Sequence, residues 1–122
     1  MSVALIGGTT SASAALAFNA QTGTTYTFVL ADADNKLVTA SNAAAQTFSI
    51  PTNANAAFPI GTQINLIQLG AGQVTVNAVT SGTTTIVSTG ATAASPKCRA
   101  QYSAMTLIKR DTDSWYAIGD IA

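Results

Sequence analysis

Period-two alternation of apolar and polar residues recurs along this chain and restricts the fold more than any other feature. Residues 24–30 place Tyr26, Phe28 and Leu30 on one face with Thr25 and Thr27 opposite. A polar turn cluster at 32–36 separates them from a second run at 37–40, and residues 46–50 alternate again before Pro51 stops them. Residues 62–69 begin the same way and then set Leu66 beside Ile67, which predicts a bulge or a strand covered on both sides. Further strands are expected at 73–77, 83–88, 99–109 and 114–118, separated by Gly70–Gly72, Ser81-Gly82 and the charged hairpin tip 110–113. The only helix-like piece, 41–45, is too short to stand alone and reads as a turn. About seven or eight short strands with turns at roughly 8–12-residue spacing predict an all-β, single-domain antiparallel β-sandwich or barrel.

Composition decides what that β body faces. Of 122 residues, 48% are hydrophobic and only 8% charged, against about 25% charged in ordinary soluble domains. The formal net charge is zero, with five basic residues balanced by five Asp, and there is no Glu and no His. Ala and Thr together make up about a third of the chain, so the surface is covered by small polar and small apolar groups. Without long-range repulsion copies associate easily, which fits a subunit of a permanent assembly better than a free monomer. Disorder is the other reading of a low-charge chain, but it goes with low hydrophobicity, and here hydrophobicity is high.

Residues 1–23 differ from the rest. They carry two apolar clusters, Val3 to Ile6 and Leu16 to Phe18, joined by a Gly/Thr/Ser stretch, and no charged side chain precedes Asp32. The expected organisation is an N-terminal arm over 1–23 and a β domain over 24–122. Val3, Leu5, Ile6, Leu16 and Phe18 are the candidate assembly residues, suited to packing on a neighbouring subunit or adding a strand to its open edge. An ordinary first strand of the same domain is the alternative. The first residues are too short an apolar run, without a basic flank, for a secretory signal, and no stretch has the apolar length of a membrane span.

The search for chemistry returns little. Without His there is no histidine base, ligand or His-containing triad, and without Glu the remaining carboxylates are Asp32, Asp34, Asp111, Asp113 and Asp120. Asp32-Ala-Asp34-Asn35 begins like a calcium loop but lacks the central Gly and closing Glu, so solvated turn carboxylates are expected. The tip from Lys109 to Asp113 alternates in charge and reads as a soluble cap. Gly70-Ala-Gly72 lacks the third Gly and the helix of a dinucleotide site. Five scattered cations give no nucleic-acid footprint. Cys98, the lone cysteine, is expected in the core, as is Trp115; Tyr102 and Tyr116 are candidate exposed aromatics. The expectation is a protein that is not an enzyme, with no cofactor, no metal, no nucleic acid and no membrane among its partners.

Residues 57–76, Ala-Phe-Pro-Ile-Gly-Thr-Gln-Ile-Asn-Leu-Ile-Gln-Leu-Gly-Ala-Gly-Gln-Val-Thr-Val, together with the blocks at 25–30, 36–39, 41–45, 47–51, 99–109 and 115–120, resemble a β-rich module of tailed-phage virion proteins. That module occurs in tail-fibre tips and capsid-surface proteins, and the likeness covers roughly residues 24–122. The resemblance implies an oligomeric virion component, assembled in the host cytoplasm, with no catalytic residues to carry over. A nearly freestanding copy after a short arm suits a capsid decoration (cement) protein, commonly a homotrimer, that binds the major capsid protein of the assembled head and stiffens it. The alternative is a tail- or head-fibre tip that binds host surface glycan.

Overall fold

The computed structural model describes residues 15–122. They form nine strands: β1 (Ala17–Gln21), β2 (Thr25–Thr27), β3 (Lys36–Ala40), β4 (Gln46–Ile50), β5 (Gln63–Gln68), β6 (Val74–Ala78), β7 (Thr85–Ser88), β8 (Ala104–Asp111) and β9 (Ser114–Gly119). The fold is all-β and single-domain, with a six-stranded sheet in the order β1-β3-β5-β8-β9-β7 and a three-stranded sheet β2-β4-β6.

The expectation of a purely antiparallel arrangement is corrected. The pairs β1–β3, β3–β5, β2–β4, β4–β6 and β7–β9 are parallel, and only β5–β8 and β8–β9 run antiparallel. The reason is the path of the chain. From β1 to β6 each strand belongs to the sheet opposite its predecessor, so every return to a sheet lays the new strand beside and parallel to the last. Three such coils (β1–β2, β3–β4, β5–β6) stack on one another, and β8 and β9 extend the larger sheet as a hairpin, with β7 at its far edge.

Alternation gathers buried side chains of both sheets into one cluster. Val38, Ala40, Ile64, Leu66, Met105, Leu107, Trp115 and Ala117 enter it from the large sheet, and Phe48, Ile50, Val74 and Val76 from the small one. Tyr26, Phe28 and Phe48 form an aromatic cluster with ring centroids 5.7–5.9 Å apart. Trp115 meets Phe58 edge to face at 5.4 Å.

Local differences from the expected strands have local causes. The strand expected over 24–30 is only β2, because the chain turns after Phe28 into a single 3-10 turn, Leu30–Ala33, which leaves Leu30 half exposed. That turn is held by Asp32, which is 1% exposed rather than solvated. Its carboxylate accepts from the Val29 backbone N–H (2.9 Å), the Tyr26 hydroxyl (2.8 Å) and the Asn19 amide (2.7 Å). Leu66 and Ile67 involve no bulge: β5 alternates without interruption, with Ile67 outward, and the register shift lies on β8 between Lys109 and Asp111. The β8 region also starts later than expected, at Ala104, after a turn in which Tyr102 has φ 70°.

The Gly-Ala-Gly turn has a packing explanation. At one end of the stack the turns of successive coils touch: the Asn42 side-chain amide donates to the Thr22 carbonyl at 2.9 Å, and the Gly72 N–H donates to the Asn42 carbonyl at 2.9 Å. A Cβ on Gly72 would overlap the carbonyl of Ala44, and one on Gly70 would sit 2.5 Å from Asn42 backbone atoms. Gly72→Ala is therefore expected to cost about 2 kcal/mol, because backbone, not a flexible side chain, must yield. A urea titration shows the cost as a lower midpoint; an unchanged midpoint would mean that the turns are not in contact.

Candidate interaction surface

The two sheets present different outer faces. On the small sheet the register aligns Thr25, Thr47 and Thr75 in one row and Thr27, Ser49 and Asn77 in the next. Ser49 donates to Asn77 Oδ1 at 2.7 Å, and Lys97 Nζ donates to Thr75 Oγ1 at 3.2 Å. This face is mainly hydroxyl and amide, and these two bonds pair part of it.

The large sheet is its opposite. One row across it runs Phe18, Leu37, Asn65, Thr106 and Ile118, and a second runs Ala20, Thr39, Ile67 and Ala104. A third runs Gln63, Ile108, Tyr116 and Val87. None of these residues is charged, and Phe18 (71%), Ile118 (51%), Tyr116 and Val87 (43% each) are exposed. The Arg110 guanidinium lies 5.3 Å from the Tyr116 ring centroid, resting on this face as a cation over an aromatic. Exposed apolar side chains gathered on one face are a feature that interaction surfaces share.

Among the described residues, that face ends in an open strand edge. β1 is terminal in the sheet, and its pairing uses the Ala17 N–H (to Asn35 O, 3.0 Å) and the Gln21 carbonyl (from Ser41 N–H, 3.0 Å). Backbone groups alternate along a strand, so Phe18 and Ala20 turn their N–H and C=O away from β3 toward the edge. A second apolar feature lies at the end of the small sheet, where Val29, Leu30, Pro51, Ala56 and Val79 line a groove of about 530 Å³.

The candidate assembly residues are thus only partly brought together. Leu16 (48% exposed) and Phe18 flank the start of β1, which makes the last part of the expected arm an edge strand of the large sheet. Val3, Leu5 and Ile6 lie outside the described residues. Ile118, Tyr116, Val87 and Leu37, which complete the face, were not singled out together because cross-strand neighbours become visible only once the register is known.

The titratable groups are accounted for by packing. Cys98 is fully buried, and its thiol is pushed up to about 11 by burial, with the Asp120 charge adding to it. A thiol kept neutral in this way is a core residue rather than a nucleophile. Arg99 and Asp120 pair at 2.7 Å on the surface, and this contact, with a further bond from Ser103, holds the Asp120 carboxyl below the usual range. Tyr26 is raised to about 12, first by burial and then by its bond to the Asp32 carboxylate.

Lys109 departs from expectation. Instead of sitting in the exposed tip it is 2% exposed, donating from Nζ to Asn53 Oδ1 (2.6 Å) and to the Phe58 carbonyl (2.7 Å). Its position was readable from parity, since 105, 107 and 109 fall on the inward face. Asp113 is likewise engaged, accepting from the Asn53 N–H at 2.7 Å and Thr84 Oγ1 at 3.3 Å. Among the described residues no group of three or more His, Cys, Asp or Glu is placed to hold a metal ion. Comparison with family models, curated proteins and solved structures finds no match.

Proposed function

We propose that the protein is a structural subunit of a bacteriophage particle, a decoration protein that binds the assembled head and stabilises it by packing. The observation that carries this reading is the ion-poor outer face of the large sheet, where Phe18, Ile118, Tyr116 and Val87 are exposed, continuous with the edge strand β1. The likeness of residues 24–122 to phage virion modules supplies the choice of particle. In this reading the body is a sandwich whose sheets share one core, the mainly hydroxyl and amide small-sheet face points to solvent, and the large-sheet face meets sister subunits (a trimer) and the capsid.

Cosedimentation with undecorated heads tests it. The wild-type chain is expected to bind saturably, and Ile118→Asp, which places a charge on the exposed face at the far end of the row from Phe18, to bind at least about 10-fold more weakly, since burying an unpaired carboxylate costs more than about 1.4 kcal/mol. Absence of wild-type binding, or an unaffected Ile118→Asp, overturns the assignment. A chain lacking residues 1–14 keeps all nine described strands and measures the arm's own share. If heads are ignored and bacterial surface polysaccharide is bound, the glycan-binding fibre tip replaces the decoration protein, with Tyr102, 68% exposed, as the first aromatic to mutate.

A further inference from the structure

Lys109 and Asn53 are placed as reactants. The Lys109 amine is buried on β8, and Nζ is 2.6 Å from Asn53 Oδ1. A carbonyl bond adds about 1.2 Å, so Nζ lies within about 3.8 Å of the Asn53 carboxamide carbon. That approaches the ~3–3.5 Å of a reactive encounter. The surroundings are apolar: Trp115 is the cross-strand neighbour of Lys109, and Phe58, whose carbonyl takes the second Nζ bond, packs edge to face on Trp115. Among the described residues the ion pair formed is Arg99–Asp120, so the Lys109 amine has no carboxylate in direct contact. Burial lowers its proton affinity, opposed by the more distant charge of Asp113. Asp113 is held against the same asparagine, its Oδ1 accepting the Asn53 backbone N–H at 2.7 Å.

We infer that Lys109 and Asn53 form an intramolecular isopeptide bond, with the nearby charge of Asp113 favouring the positive charge that develops on Nζ as the bond forms. The neutral amine attacks the Asn53 side-chain carbon, forming the Cγ–Nζ bond. The proton shed by Nζ passes to Nδ2 of the same tetrahedral centre, the Cγ–Nδ2 bond breaks, and one ammonia leaves. No electrons change hands and no co-reactant is needed. The product ties the loop between β4 and β5 to β8 covalently, across more than 50 residues of sequence. It also replaces a buried amine that must be kept hydrogen-bonded with a neutral amide. Such a staple suits a subunit that must resist mechanical and thermal load, but it depends only on the local geometry and stands or falls separately from the particle in which the chain serves.

Mass spectrometry of the full chain, purified and then incubated at neutral pH, decides the matter. The intact mass is expected to lie one ammonia below the sequence mass, and digestion to yield a branched peptide joining the segments that contain Asn53 and Lys109. Lys109→Arg and Asn53→Ala should both return to their own sequence masses. Asp113→Asn, which leaves both reactants in place, should form the link at least 10-fold more slowly. A wild-type chain with Lys109 and Asn53 in separate peptides overturns the inference and needs no variant to fold. An ammonia loss without the branched peptide also overturns it, and linkage in Asp113→Asn at the wild-type rate removes Asp113 from the mechanism.

Discussion

Trp115→Ala lowers the free energy of unfolding by about 3–5 kcal/mol, the range for removing a large buried aromatic without collapse of the cavity. Trp115 is 1% exposed and lies on β9, which is paired on one side with β8 and on the other with β7. Its ring is the partner of Phe58, and Phe58 anchors the loop that closes over Lys109. Removing it therefore empties a site where two sheet neighbours and a loop converge, and none of these strands can shift without breaking its ladder. A domain of this size is stabilised by only about 5–15 kcal/mol, so the variant is expected to be marginal at 37 °C. Urea denaturation followed by far-UV circular dichroism measures it. A loss below about 1 kcal/mol would mean that Trp115 is not a core residue.

Asp32→Ala is the second large effect, about 3 kcal/mol, and its character differs. The loss is not of volume but of an acceptor for the Val29 N–H, the Tyr26 hydroxyl and the Asn19 amide, and donors left unpaired in a partly closed site cost about 1–3 kcal/mol each. Asn19 is the inward residue of β1, and Gln21 donates to Asn19 Oδ1 at 2.8 Å, so the damage should concentrate in the first coil. Amide exchange is expected to accelerate first in Ala17–Gln21, before the β5–β8 ladder. Uniform acceleration would show that Asp32 supports the whole domain instead. The Tyr26 phenol supplies a second readout. It is raised to about 12 by burial and by Asp32, so in the variant it should fall toward 10 without reaching it, because burial persists.

The same shift sets a pH dependence in the wild-type protein. A folded-state value above the unfolded one means that the native state favours protonated Tyr26. The associated stability is fully present below the unfolded value near 10 and is lost as pH rises through about 12. Tyr26→Phe should flatten that part of the stability profile, and an unchanged profile would assign the alkaline loss to another group.

What was legible in the sequence follows from what alternation encodes. A period of two says which side chains share a face, and it located β3, β4, β5, β6, β7 and β9 closely; the burial of Cys98 was read instead from residue type, and Trp115 too lies in the core as expected. It says nothing of the direction in which strands pair, so the two-sheet winding with its parallel ladders had no sequence signal. β1 was hidden for a related reason: its inward residues are Asn19 and Gln21, which satisfy themselves with polar partners, so the strand lacks an apolar stripe. Asp32 and Lys109 were read by type, as surface charges, when position decided otherwise. Lys109 sits in phase with Met105 and Leu107, and taking parity over residue type would have turned it inward. Of the exposed face of the large sheet only one corner, Leu16 and Phe18, was singled out in the sequence, since the rows joining Phe18 to Ile118 arise from the register of five strands.

Sedimentation velocity of the purified chain over a wide concentration range puts the ion-poor face to its most direct test. The expected result is reversible or stable self-association of the wild-type protein, abolished when Phe18 and Ile118 are both replaced by Lys. A single, unassociated chain at every concentration, indistinguishable from the doubly charged variant, would contradict the account.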